Sequence, residues 1–221
     1  MAQKMIFISS KDYLYREKLI DYVFVPGFAP SQRRKNVINL ENSIKKEFPN
    51  LKVLEVSTKS NNPLGISLSA FNLILDGKHL ESIFQSSKCF EDGSHFDFLK
   101  DQKPSFAKKY IRENGKGRLK KFVYDGVEFP LFPETFFYDY IYIKALYQNK
   151  ELSDQLANFD IFTDIEFNHM KSINCQARSC AIYAYLLKNN IVEDVVSNPE
   201  NLKALYKEKK IFGQLSLFDL A

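Results

Sequence analysis

The stretch Ser69–Phe90, SAFNLILDGKHLESIFQSSKCF, decides how the rest of the chain is read. Ser69 to Leu75 reads as a short strand or loop, Asp76-Gly77 as a turn, and the residues after it as a helix carrying Glu81, Gln85 and Lys88. Spaced i, i+4 and i+7, those three share one helical face and bring together a carboxylate, an amide and an amine. Leu80, Ile83, Phe84 and Ser87 form the other side, which is apolar enough to dock on a core. Such a face is most often a solvated surface with helix-spaced charge pairing. It is also what one wall of a cleft looks like when burial and neighbouring charge tune an acid or an amine nucleophile.

Working outward, the 221 residues are 45% hydrophobic, enough to bury a substantial core in one domain over residues 1–211, leaving 212–221 as a tail. Lys plus Arg exceed Asp plus Glu by 31 to 27, a mildly basic balance that permits nucleic acid without demanding it. No opening segment has the layout of a secretion signal and no apolar run is long enough to span a bilayer, so the expected location is cytoplasmic. Cys89, Cys175 and Cys180 are in no paired metal spacing and read as reduced core thiols. With His79, His95 and His169 scattered, no metal site is expected.

The flanking pattern predicts an α+β chain, mainly α, with a small sheet formed by the N-terminal strands and a hairpin. Strands are expected at MIFIS near the start, at Asp21–Val25 and at Leu51–Ser57, and a helix from Pro30 to about Phe48 with Val37, Leu40, Ile44 and Phe48 on one stripe. The strand at Leu51–Ser57 delivers Thr58, Lys59 and Ser60 into a loop, a frequent position for a site. Lys103 to Lys121 is basic, with a helix around Phe106 to Arg112; it reads equally as a phosphate-contacting segment and as a hydrated surface. Asp125-Gly126 marks a hairpin over Lys120–Phe129. Helices follow at Glu134–Asn149 and Lys150–Asn158, then an acidic segment Phe162–Asn168. A buried helix comes next, opening on Asn174, Gln176 and Arg178, whose polar groups need partners inside.

Several of these motifs resemble the NADAR (YbiA-like) superfamily. They are Ala70-Phe71-Asn72, Gly77, then Glu81 with Phe84, Gln85 and Lys88, the acidic segment Phe162–Glu166 and the last helix from Ile173-Asn174. LEVSTKSNNPLGISLSAFNL, FQSSKCFEDG and FTDIEFN followed by SINCQARS are similar to one branch, the antitoxins that act beside DarT-type DNA ADP-ribosyltransferases. The resemblance implies a YbiA-like helical domain and an ADP-ribosyl glycohydrolase that removes ADP-ribose from guanine bases in DNA by hydrolysing an N-glycosidic bond. No cofactor is implied, and ADP-ribose is product and ligand.

In that chemistry a neutral lysine amine captures the ribose C1 as a Schiff base, and a carboxylate protonates the departing nitrogen and then activates water. The resemblance gives Glu81 the acid/base role and Lys88 the amine, with Lys59 as its rival, while Asp164 and Glu166 orient ribose hydroxyls or water. Ser69, Phe71, Asn72, Gln85, Asn174 and Arg178 complete the expected binding set. Many relatives carry a site tryptophan; this chain has none, and Phe129 or Phe132 is the expected aromatic substitute. The histidine that often follows the helix glutamate is Ser82 here, and a glycine of the last motif gives way near Ala177.

Two other functions fit the same motifs: a small-molecule N-glycosidase acting on a phosphoribosylamine-type riboflavin intermediate, and a non-catalytic antitoxin that binds modified DNA or the toxin. The expected partners are ADP-ribosylated DNA and, functionally, a cognate DarT-type toxin. A second resemblance lies in the tail, where Gln214, Leu215, Ser216, Leu217 and Phe218 are similar to the peptide by which bacterial proteins hold the DNA sliding clamp. Packing of the same segment on its own domain is the competing reading.

Overall fold

The computed structural model describes residues 1–27, 29–168, 170 and 172–208. The chain starts as a hairpin of β1 (Ala2–Ile8) and β2 (Arg16–Tyr22), then runs into α1 (Pro30–Glu47) and β3 (Val53–Glu55). β9 (Ile161–Thr163) returns from far downstream to sit between β1 and β3, antiparallel to the first and parallel to the second, giving the order β2-β1-β9-β3. Alternation sorts neighbouring side chains to opposite faces. Ile6 and Ile161 face α1, whose buried Val37, Leu40 and Ile44 belong to the predicted stripe, while Phe48 follows the helix as its partly buried C-cap. Phe7 and Phe162 face the other way, into the main core.

The second strand was expected at Asp21–Val25, but the pairing ends at Tyr22, opposite Ala2. Beyond that pair β1 offers no further ladder, so Val23 and Phe24 run on exposed. The Asn36 side chain then takes over as a strand would, accepting from Val25 N–H at 2.7 Å and donating to its carbonyl at 2.9 Å.

After β3 the chain makes the short α2 (Pro63–Ser67), capped by the Asn62 side chain on Leu64 N–H. A Cβ on Gly65 would lie 1.9 Å from the Glu55 carbonyl oxygen, so only glycine lets α2 sit this close to the end of β3. The tight hairpin of β4 (Ile74–Leu75) and β5 (Lys78–His79) turns at Asp76-Gly77, where both residues have positive φ, and leads into α3 (Leu80–Ser86).

β6 (Lys88–Phe90) follows at once. It joins β7 (Leu119–Tyr124) and β8 (Val127–Phe129) in a separate three-stranded sheet, with a 3-10 turn (Asp97–Asp101) and α4 (Pro104–Asn114) between β6 and β7. The predicted Asp125-Gly126 hairpin forms, with both residues at positive φ. It does not share a sheet with the N-terminal strands as expected, because β6 rather than β1 pairs with its free edge.

α5 (Phe136–Gln148) and α7 (Gln176–Lys188) pack together at the centre of the main core, buried nearly all round. α6 (Lys150–Leu156) lies between α5 and β9, and α8 (Val192–Ser197) and α9 (Pro199–Glu208) close the described chain. The three cysteines are free and buried. Among the described residues no helix is long and apolar enough to cross a membrane. The clamp-like residues Gln214, Leu215, Leu217 and Phe218 lie outside the described residues.

Candidate active site

A cleft of about 340 Å³ opens where the loop before β4, one face of α3, the start of α5, the loop after β9 and the lead-in to α7 converge. Backbone bonds fix its floor. Ala70 N–H donates to Gln176 Oε1 at 2.9 Å and Glu81 N–H donates to the Ala70 carbonyl at 2.9 Å, tying the loop to α7 on one side and α3 on the other. Ser69 and Phe71 line the cleft from this loop. Asn72 does not. It is exposed, and its side-chain amide donates to the Ile66 carbonyl at 2.8 Å, fastening the loop to α2.

Glu81 is 6% exposed and faces into the cleft with Gln85. Lys88 is not on the same helix, contrary to the spacing argument. The hydroxyls of Ser86 and Ser87 both donate to the Ile83 carbonyl, at 2.9 and 2.8 Å, and the chain leaves the helical path into β6. The three polar groups nonetheless meet. Gln85 Nε2 donates to Glu81 Oε1 at 2.9 Å, and Lys88 Nζ donates to Gln85 Oε1 at 2.7 Å, which fixes the amide's orientation. Lys88 Nζ stands 4.8 Å over the Phe84 ring, and burial pushes its pKa down to about 8 against the opposing pull of the Glu81 charge. Its amine opens on an adjoining groove that shares Phe71, Gln85 and Lys108 with the cleft.

Lys59, the rival amine, lines neither space; its Nζ donates to Thr58 Oγ1 at 2.9 Å, and Thr58 is the cleft residue.

The opposite wall comes from the segment after β9. Asp164 Oδ1 accepts from the backbone N–H of Glu166 and Phe167 at 2.9 and 3.2 Å, a turn of the Asx kind. Burial first, then the charge of Glu55, pushes the Asp164 carboxyl up to about 8. Glu55 is 1% exposed behind it and accepts from Ser57 Oγ, Thr163 Oγ1 and Ile165 N–H. Lys4 reaches over from β1 to donate to the carbonyls of Ile165 and Phe167 at 2.8 and 2.6 Å, pinning the same turn. Glu166 sits at the rim, paired with Arg33 of α1 at 2.6 Å and accepting from Thr58 Oγ1 at 3.2 Å.

Of the residues expected near α7, Asn174 lines the cleft and Arg178 does not. Arg178 is paired with Asp139 at 3.2 Å and also donates to the Ile173 carbonyl at 3.3 Å. Thr135, Ser179 and Tyr206 hydroxyls donate to the same Asp139 carboxylate. The buried network therefore joins α5, α7 and α9 and holds the strip that forms the cleft's rim.

Neither expected substitute for the missing tryptophan is at the site. Phe129 is 4% exposed among Phe136, Phe137 and Tyr140, because β8 turns it inward, and Phe132 is 70% exposed beyond the end of that strand. The cleft's aromatics are instead Phe71, Phe84, Tyr138 and Phe167. Tyr138 packs edge-on to Phe84 at 5.1 Å, and burial, followed by the charges of Glu81 and others, holds its phenol well above the ordinary value, so it is a neutral hydroxyl at neutral pH. Sequence reasoning missed Tyr138, Phe167, Lys108, Glu55 and Lys4. Lys108 stands 3.7 Å from Glu81 and 5.5 Å over the Phe71 ring. Among the described residues no cluster of His, Cys, Asp and Glu is placed to hold a metal ion.

The raised Asp164 carboxyl has a stability consequence. The folded chain keeps a proton that the unfolded chain releases above its ordinary value of 3.8, so stability is lost as pH rises toward about 8 and then levels off. Asp164→Asn keeps the Oδ1 acceptor for the turn and removes that loss. The variant should melt higher than the wild type at pH 8, with the gap shrinking by at most about 1.4 kcal/mol per pH unit as the pH is lowered. A gap independent of pH between 5 and 8 refutes the assignment.

A model of the DarT1-associated NADAR antitoxin family matches residues 2–214. No curated protein matches the chain. With nearly the whole chain covered, the protein belongs to the DarT1-associated NADAR antitoxin family.

Proposed function

We propose that the chain is an ADP-ribosyl glycohydrolase that frees guanine bases in DNA from ADP-ribose, and that it opposes the toxin by undoing its product. The observation that carries the reading is the Glu81–Gln85–Lys88 hydrogen-bond chain, with an amine lowered to about 8, beside a cleft whose far wall holds a carboxyl raised to about 8. At pH 7 about one Lys88 amine in ten is neutral, against about one in three thousand at the ordinary value. Displacement of the Gln85 side chain by ribose hydroxyls brings that amine to C1. Its lone pair forms the C1–N bond as the bond to the guanine nitrogen breaks, and Asp164 gives its proton to the departing base. The proton released by the attacking amine passes to Glu81. As the ribosyl-lysine opens to an imine, Glu81 passes that proton to the ring oxygen, which becomes a hydroxyl; the Glu81 carboxylate then takes a proton from the water that adds to the imine carbon and returns it to the amine as the C1–N bond breaks.

The sequence-based expectation gave both proton transfers to Glu81; the burial of Asp164 favours dividing them between the two carboxyls. Glu166 and Thr58 at the rim, with Asn174 and Tyr138, are left to hold ribose and phosphate oxygens.

The test is incubation with an ADP-ribosylated oligonucleotide, reading free ADP-ribose and restored guanine by mass spectrometry. Release supports the reading, and tight binding without release leaves a binding antitoxin. Activity confined to ribosylated amines of nucleotide size supports the small-molecule alternative. The rate should also follow a narrow bell in pH. It rises as Lys88 loses its proton and falls as Asp164 loses its own, so the optimum lies near 8 with each limb approaching tenfold per pH unit. A rate that is flat from pH 6 to 10 removes both assignments.

A further inference from the structure

Beside the cleft, and sharing Phe71, Gln85 and Lys108 with it, runs a groove of about 490 Å³ between α4 and the end of α3. Its cations are Lys88, Lys108, Lys109 and Arg112, and no acidic residue lines it. Three of the four come from α4 and reach one face because positions 108, 109 and 112 lie within about one helical turn of each other. The buried Ala107 and Ile111 of the same helix pack with Phe90 and Leu99, and Ile111 also lines the groove beside the cations, so the helix is anchored with its cations along the groove. Lys109 makes a long i,i+4 contact with Glu113, 3.9 Å on the exposed surface, so its charge remains available. Phe106, which follows the groove-lining Ser105, is 46% exposed and Phe98 likewise, with Tyr110 packed between them at 5.9 and 5.2 Å. Exposed rings interleaved with lysine and arginine, beside a channel free of acid, are the pattern that binds a single strand, cations tracking phosphates and rings stacking on bases.

We propose that this groove carries the single-stranded DNA that flanks the modified guanosine. Lys109 and Arg112 contact its phosphates and Phe106 stacks on one of its bases. The inference takes its occupant from the glycohydrolase reading above and gives that site its discrimination between a strand and a free nucleoside.

The experiment has a binding arm and a turnover arm. The binding arm measures fluorescence anisotropy of a short, unmodified fluorescein-labelled oligothymidylate against salt. Lys109→Ala/Arg112→Ala should weaken binding at least about tenfold and reduce the slope of log affinity on log salt by roughly 1.4, two phosphates' worth for a single strand. Phe106→Ala should weaken binding about fivefold to tenfold and leave the slope unchanged. All three side chains are exposed, so the variants should fold. In the turnover arm the double variant should lose at least about tenfold in kcat/KM on an ADP-ribosylated oligonucleotide and stay within about twofold of wild type on ADP-ribosylated deoxyguanosine. Unchanged anisotropy in either variant, or equal losses on the two substrates, overturns the proposal. If wild type releases ADP-ribose from neither substrate, the glycohydrolase reading has failed and the anisotropy arm alone decides the groove.

Discussion

Glu81→Gln is expected to slow ADP-ribose release by roughly 10²–10⁴-fold, the range for loss of a positioned acid or base. Glutamine is the informative replacement because it retains the Oε1 that accepts from Gln85 Nε2 at 2.9 Å and nearly the same volume in a position only 6% exposed. Alanine there leaves the Gln85 amide without its partner and a gap in the wall, so a loss of rate would mix chemistry with collapse. The amide removes the charge that draws Lys108 to 3.7 Å, but Lys108 is largely in solvent and that pairing contributes little to stability. The melting temperature should therefore stay close to wild type while single-turnover release collapses. A variant that folds normally and keeps more than about a third of the rate takes Glu81 out of the mechanism.

How much of this was legible from the residues depends on whether the deciding interaction is local. The α1 stripe of Val37, Leu40 and Ile44 follows from period alone, and the Asp125-Gly126 turn follows from two residues that tolerate positive φ. The end of β2 does not, because it depends on where β1 stops, and Val23–Val25 look as strand-like as anything before them. The same limit applies at the site. Glu81, Gln85 and Lys88 were grouped for the wrong geometric reason, a shared helix face, and meet because serines at 86 and 87 end the helix and the lysine turns back over Phe84.

Residues on buried elements were the hardest to sort. Tyr138 and Asp139 are neighbours on a helix buried nearly all round, so no amphipathic pattern says that the first lines a cleft while the second anchors Arg178. Phe129 shows the converse. A proline-bounded aromatic after a hairpin looked available for stacking, yet strand alternation points it into the core. Glu55 was hidden by the alternation of its own strand, since a carboxylate amid Val and Leu reads as the outward-facing member. It is instead buried against Thr163 because the sheet has a helix layer on each face.

Lys88→Arg should abolish the adduct that borohydride traps between enzyme and ADP-ribosylated DNA, and lower release by at least about 10²-fold, whereas Lys59→Met should leave both close to wild type. Arginine keeps a cation over the Phe84 ring and a donor for Gln85 Oε1, so the wall between cleft and groove survives. What it cannot supply is a neutral nitrogen near pH 8, because guanidinium does not deprotonate in that range. Lys88 is mostly shielded from water and lies near the cationic Lys108, both of which favour its uncharged amine against the opposing pull of Glu81. Lys59 donates to the Thr58 hydroxyl and lines neither cavity. Whatever release remains in Lys88→Arg should also lose the low-pH limb of the bell and keep the high-pH limb set by Asp164, because only one of the two titrating groups has been removed. A trapped adduct that survives in Lys88→Arg and disappears in Lys59→Met transfers the nucleophile to the strand-end loop, and with it the need for Gln85 to move.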